Sequence, residues 1–172
     1  AAVQARYHDV GLVGWEAGNA ASQMTAEAVI FGSGRPAVLL PELWDIAATD
    51  HVAVAWDGSR AAARAVADAQ PFLSRAARIT VLTVTDEKPL QEKNPGERLA
   101  EGLRRRSLPA EAVALRTEDC PIGETLQQRA IERGCNLLVM GGYGHSRIRD
   151  FVLGGATKGV LGNLLMPVLL SH

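Results

Sequence analysis

From His51 onward the apolar positions of the chain change period at regular intervals. His51-Val-Ala-Val-Ala-Trp56 is a short apolar run that ends in Asp57-Gly58-Ser59, a turn-and-cap sequence. Ala62, Ala65, Val66, Ala69, Phe72 and Leu73 then fall on one stripe of a helix over 60–75. Ile79-Thr-Val-Leu-Thr-Val84 is rich in β-branched residues and predicts a second strand. Asn94-Pro95-Gly96-Glu97 carries helix-start chemistry: an N-cap asparagine, a proline at the first helical position and a glutamate three after the cap. Leu99 and Leu103 give that helix its buried side. Ala112 to Leu115 is a weaker strand, and Ile122, Leu126 and Ala130 mark a third helix that Gly134 stops. Asn136-Leu-Leu-Val-Met140 and Pro167-Val-Leu-Leu170 lack polar alternation, as expected of strands covered on both faces. Between them, Thr157 to Leu165 places Val160, Leu161, Leu164 and Leu165 on a fourth helix.

Five strands thus alternate with four helices from His51 to Ser171. Parallel strands need crossover connections, so this alternation predicts an α/β fold: an open five-stranded parallel sheet with helices on both faces. The first fifty residues read as a second copy of the ending. Asp9-Val-Gly-Leu-Val-Gly14 parallels Asn136-Leu-Leu-Val-Met-Gly141, and Pro36-Ala-Val-Leu-Leu-Pro41 parallels Pro167-Val-Leu-Leu-Ser171. Thr25 to Ile30 stands where the fourth helix would. The expected organisation is therefore a strand–helix–strand piece of an upstream module over 1–42, a linker over 43–50 and a complete module over 51–172. The sequence opens at Ala1 without methionine, and a segment upstream of it is an expectation of the same reading.

Composition changes this picture little. Hydrophobic residues make up 47% and charged residues 22%, enough for a core of useful size. A net charge of −1 gives no reason to expect nucleic acid or an anionic membrane as partner, and Arg104, Arg105 and Arg106 fit a solvated helix face. Cys120 and Cys135 lack the spacing of a disulfide framework or a zinc site. No apolar run approaches the roughly 18–20 residues that cross a bilayer, and no leader pattern opens the sequence, so the cytoplasm is the expected compartment.

The segment with the most chemistry is Met140-Gly141-Gly142-Tyr143-Gly144, followed nine residues later by Gly154-Gly155-Ala156-Thr157. A strand ends at Met140 and a helix begins near Thr157. Glycines there let backbone N–H groups approach a phosphate without a Cβ in the way, and the helix N-terminus adds positive dipole. Thr157 offers a hydroxyl. Ligands of open parallel sheets sit beyond the carboxyl ends of strands where strand order reverses. The Asp57-Gly58-Ser59 turn shares that crevice if the strands at 51–56 and 136–140 are neighbours. The pattern is not GxxxxGK(S/T), since Lys158 has the wrong spacing, and Arg147 stands where a dinucleotide fingerprint needs its third glycine.

With these residues the chain resembles the universal stress protein family, whose ATP-binding members carry G-x2-G-x9-G-(S/T) in this setting. Gly141, Gly144 and Gly154 match its three glycines. The resemblance extends to Val-Ala-Trp-Asp-Gly-Ser at 54–59, to Val84-Thr-Asp86 and to the closing Pro-Val-Leu-Leu strand. It implies an adenine-nucleotide alpha-hydrolase-like, Rossmann-like fold with ATP as ligand and magnesium only as the counter-ion of the nucleotide. Ala55, Trp56, Asp57, Val84 and Met140 would line base and sugar; Gly141, Gly144, Gly154, Gly155, Ala156 and Thr157 would hold the phosphates. The Ser/Thr after the third glycine is Gly155 here, which removes one hydroxyl. The family also pairs through its closing strand. Residues 37–40 are therefore expected antiparallel to 167–170, within one chain or between copies that dimerise. In the upstream copy, Gly14-Trp15-Glu16-Ala17 lacks the second glycine, so no nucleotide is expected there.

His145, Arg147 and Arg149 lie inside the glycine loop and fit either phosphate contact or solvation. No base, carboxylate cluster or nucleophile stands next to the loop in sequence, so no catalytic residue is assigned. The expected function is an ATP-binding regulatory or stress-response module without dedicated catalysis. The alternatives are a slow ATPase or nucleotide-transfer enzyme, and a ligand-free interaction module.

Overall fold

The computed structural model describes residues 1–42, 44, 49–86, 92–117, 120–142 and 155–172. The elements are α1 (Ala2–Ala5), β1 (Gly11–Trp15), α2 (Ala20–Gly32), β2 (Ala37–Pro41), β3 (His51–Ala55), α3 (Arg60–Asp68), α4 (Gln70–Leu73), β4 (Arg78–Val84), α5 (Pro95–Arg105), β5 (Ala110–Leu115), α6 (Ile122–Glu132), β6 (Leu137–Gly141), α7 (Gly155–Gly162) and β7 (Val168–Ser171). The strands among the described residues join one seven-stranded sheet in the order β1-β2-β7-β6-β3-β4-β5. The expected five-stranded parallel sheet is present within it, because β7, β6, β3, β4 and β5 are parallel neighbours. β1 and β2, parallel to each other, extend it through an antiparallel junction in which Ala37, Val38 and Leu39 face Leu170, Leu169 and Val168. Residues 37–40 and 167–170 therefore meet inside a single chain.

The two faces of the sheet carry separate apolar clusters. One gathers Ala26 and Val29 of α2, Leu126 and Ala130 of α6 and Val160 of α7 over Val13, Leu39, Ala53, Leu82, Leu138 and Leu170. The other gathers Ala65 and Val66 of α3, Leu73, and Ala100 and Leu103 of α5 over Val38, Val52, Val54, Val81, Val139 and Leu169. Covered on both sides, the central strands have no use for polar alternation. β5 is an edge strand with exposed and half-buried positions along it, which explains its weaker pattern.

Three local expectations change. The helix over 60–75 is interrupted at Ala69, whose ψ of 1° leaves the helical range, so α3 and α4 are separate. Pro71, with no N–H to give to a preceding carbonyl, accounts for the break. Asn94 precedes α5 but does not cap it by its side chain. Its φ of 54° is left-handed, whereas a capping side chain needs the extended geometry that aims it at the first amides. The fourth helix begins at Gly155 and stops at Gly162, short of Leu165. Beyond it the side chain of the fully buried Gln127 donates to the Asn163 carbonyl (2.9 Å) and accepts from the Leu165 amide (2.8 Å). These bonds satisfy backbone that has left the helix. Gly134 behaves as expected. It adopts φ of 74°, and the amides of Gly134 and Cys135 close α6 on the carbonyls of Ile131 and Ala130.

Candidate functional site

β3 lies between β4 and β6. From β3 the chain continues into α3 on one face, and the helix that follows β6, α7, packs on the other. Helices that leave neighbouring strands toward opposite faces open a crevice at the carboxyl ends of those strands. The condition set by the sequence is met: Val52, Ala53 and Val54 pair with Leu137, Leu138 and Val139.

At the end of β3 the turn is built from its own side chains. Asp57 Oδ1 accepts from the Ser59 amide (2.9 Å), Gly58 takes φ of 76°, and Ser59 Oγ caps α3 by accepting from the Ala62 amide (3.1 Å). Across the crevice, β6 ends at Gly141. A Cβ added there would stand 2.5 Å from the Ala61 carbonyl carbon and 2.6 Å from the Ala62 amide nitrogen. Gly141 is therefore required by the backbone of α3 itself, a role the sequence pattern did not disclose. The same contact sets the Asp57 turn beside the start of the glycine loop. Gly142 is held in turn by the closing strand, its amide donating to the Ser171 carbonyl (2.7 Å).

The expected base-and-sugar residues divide between the two faces. Ala55 and Val84, both half-buried, join the apolar cluster that contains buried Met140, and Ile122 and Ala156 pack against the same cluster. Trp56 joins the opposite cluster with Leu99. There a cavity of about 320 Å³ is lined by Trp56, Asp57, Gly58, Glu92, Pro95, Arg98 and Leu99. Glu92 and Arg98 form an ion pair in its wall. Asp57, at the end of β3, lines this cavity while its turn borders the crevice.

In the first turn of α7 Gly155 is exposed, Ala156 half-buried and Thr157 buried. Gly144 and Gly154 of the expected phosphate set, with His145, Arg147 and Arg149, lie outside the described residues. Asp86, part of the Val84-Thr-Asp86 resemblance, and Gly123, which the sequence reading did not single out, hold the elements around the site. Asp86 accepts from the Thr117 amide (3.0 and 3.1 Å) and fastens the end of β4 to that of β5. Gly123, near the start of α6, lies against the backbone of α7. A glycine just inside a helix start was the signal available for it. Among the described residues no group of three or more His, Cys, Asp and Glu side chains has metal-binding geometry.

Residues 1–42 have no comparable loop. β1 and α2 are joined by Glu16–Asn19 alone, and Asn19 Oδ1 accepts from the amides of Ala21 and Ser22. The first amides of α2 are thus bonded by its own cap.

The fold and crevice define a doubly wound α/β protein with a ligand-type switch point between β3 and β6. The sequence model of the universal stress protein family matches residues 48–172, and the chain belongs to that family. Similar solved structures agree on the fold. A universal stress protein from Archaeoglobus fulgidus DSM 4304 superposes with a TM-score of 0.74 at 16% identity, over 99% of this chain and 63% of its own. This chain thus spans less than two thirds of that protein. A universal stress protein family member from Burkholderia pseudomallei gives a TM-score of 0.53 at 22% identity, over 71% of this chain and 95% of its own. A universal stress protein in complex with cAMP gives 0.50 at 22% identity, over 72% of this chain and 96% of its own. No curated protein sequence matches significantly. Among the described residues no helix is long and apolar enough to cross a membrane.

Proposed function

We propose that the chain is an adenine-nucleotide-binding regulatory module, with ATP in the crevice at the carboxyl ends of β3, β4 and β6. The observation that carries this reading is the contact of α3 with Gly141, which brings the Asp57 turn and the start of the glycine loop together. The base lies along Ala55, Val84 and Met140, the ribose by Asp57, and the phosphates by the glycine-rich segment from Gly141 to Thr157. Magnesium enters with the nucleotide. The similar structure that holds cAMP supports the adenine class of ligand. No catalytic residue belongs to this reading; ATP acts by favouring one conformation or assembly, in the cytoplasm, with residues 1–42 as the tail of an upstream module.

Gly155, in place of the hydroxyl residue of the family pattern, favours a second reading, a module that has kept the fold for protein contacts and lost the ligand. Calorimetry with ATP and magnesium on the wild-type chain and on Gly144→Val separates the two. A saturable signal lost in the variant supports nucleotide binding; no signal from the wild-type chain supports the interaction module. Steady phosphate release abolished by Asp57→Ala would instead show an ATPase.

A further inference from the structure

The cavity beside Trp56 lies on the face of the sheet that α3 and α5 cover, opposite the face that carries Ala55, Val84 and Met140. Of its walls the nucleotide reading uses Asp57 alone. Its volume of about 320 Å³ falls at the small end of the range of small-molecule sites, about 300–1,000 Å³.

On the α5 side the wall begins at the first turn of that helix, where Pro95 lines the cavity. Pro95 has no N–H, and the Arg98 amide takes the Asn94 carbonyl (3.3 Å). The amides of Gly96 and Glu97 are left for a cap. Asn94 does not supply it, as its side chain makes no capping bond. Glu97 does not either: its carboxylate accepts from Arg104 (2.6 Å) instead of reaching back over the turn.

Thr83 is a second and independent sign at the same place. The Trp56 amide donates to the Leu82 carbonyl (2.8 Å), which continues the β3–β4 register and sets Trp56 beside Thr83. Thr83 is 5% exposed, and its hydroxyl is aimed at the first turn of α5: a Cβ on buried Gly96 would stand 2.5 Å from Thr83 Oγ1. No hydrogen-bond partner for that oxygen stands among the described residues. A buried hydroxyl left unpaired costs stability, so native proteins keep few of them.

The charge around the cavity has both signs. Asp57 and Glu92 bring carboxylates, whereas Arg98 and the start of α5 are positive. A ligand with one net charge meets a like charge whichever it carries. A zwitterion meets an opposite charge at each end, and the wall of Trp56, Pro95 and Leu99 suits an apolar body.

We propose that this cavity is a second ligand site, which takes a free α-amino acid with an apolar side chain. Its carboxylate caps α5 at the Gly96 and Glu97 amides, with the Thr83 hydroxyl as a further donor. Its ammonium lies by Glu92 and the Trp56 ring. Its side chain packs on Leu99. This claim does not rest on nucleotide binding.

The test titrates the isotope-labelled chain with L-leucine, L-methionine and L-phenylalanine and follows the Trp56 indole and the Gly96 and Glu97 amides by NMR. Saturable shifts are expected with at least one of the three, and they persist when ATP and magnesium are present. Isocaproate and isoamylamine, which are leucine without its ammonium and without its carboxylate, are expected to bind at least about tenfold more weakly than leucine. Thr83→Val keeps the shape and removes the hydroxyl. It is expected to weaken amino-acid binding about threefold or more, while the melting temperature of the unliganded chain stays level or rises. Shifts absent with all three amino acids up to millimolar concentration would overturn the proposal. So would equal binding of either singly charged analogue, unaltered affinity in Thr83→Val, or displacement of the amino acid by ATP.

Discussion

Gly123 of α6 and Gly159 of α7 bring their helices into backbone contact. A Cβ on Gly123 would stand 2.5 Å from the Ala156 carbonyl oxygen and 2.9 Å from the Gly159 carbonyl carbon; one on Gly159 would stand 3.2 Å from the Gly123 Cα. The obstacles are main chain rather than flexible side-chain ends, so a larger residue can be fitted only by moving α7. Gly123→Val is expected to cost about 1–3 kcal/mol of stability by this overpacking. Because α7 carries Gly155 to Thr157, the variant is also expected to weaken ATP binding. Urea unfolding and calorimetry check the two effects separately.

Ser107 holds a left-handed conformation (φ 60°) at the end of α5, where its amide donates to the Arg104 carbonyl and that of Leu108 to Leu103. A side chain in that region costs about 1–2 kcal/mol, whereas glycine adopts it without penalty. The larger unfolded-state entropy of glycine offsets part of the gain. Ser107→Gly is expected to stabilise the chain by roughly 0.5 kcal/mol, read as a higher urea midpoint at an unchanged slope.

His51 begins β3 at the end of the sheet opposite the crevice, and its Nε2 lies 2.9 Å from Thr80 Oγ1. Burial holds its pKa below the ordinary value. The charge of Arg78 lowers it further, against the opposing pull of Glu111, Asp50 and the Gly134 backbone. The folded state therefore binds fewer protons at this ring than the unfolded chain does. Its contribution is complete above the unfolded pKa of about 6.5 and shrinks as pH falls below it toward the folded pKa. The melting temperature is expected to fall from pH 7 to pH 5, and to fall less in His51→Gln. Equal losses in both proteins would contradict this assignment.

The two thiols differ in the same physical terms. Cys120 is exposed, whereas Cys135 is buried and its pKa is pushed up to about 11, chiefly by desolvation. The thiolate is the reactive form. One thiol per chain is expected to react with a chromogenic disulfide reagent under native conditions, and two after unfolding in guanidinium. Two fast thiols in the native protein would be the contrary result.

Much of the fold was legible because covered strands and striped helices leave period-2 or continuous apolar runs and 3.6-residue stripes. The 51–84 segment and the two closing strands show this directly. The antiparallel meeting of Val38 with Leu169 was expected as well, from the repeat that both strands share together with the family resemblance, which implies pairing through the closing strand. What stayed hidden depended on distant partners. Gln127 looks like a solvated helix residue until Asn163 and Leu165 are found against it. Gly141 looks like a phosphate glycine alone until α3 is laid on top of it. Asn94 satisfies the composition of an N-cap, yet its backbone takes the left-handed region, which composition does not report. In the candidate site, neighbouring Ala55 and Trp56 point to opposite faces, as strand alternation requires. That alternation was available in the sequence.

The most direct test of a nucleotide in the crevice is an ATP–magnesium titration of the isotope-labelled chain, read by amide chemical shifts. Saturable shifts are expected at Ala55, at Asp57 to Ser59, at Val84, at Gly141 and over Gly155 to Thr157, with β1 and the His51 end of the sheet unmoved. Shifts absent up to millimolar ATP, or confined to the end that carries His51, Thr80 and Cys135, would contradict it.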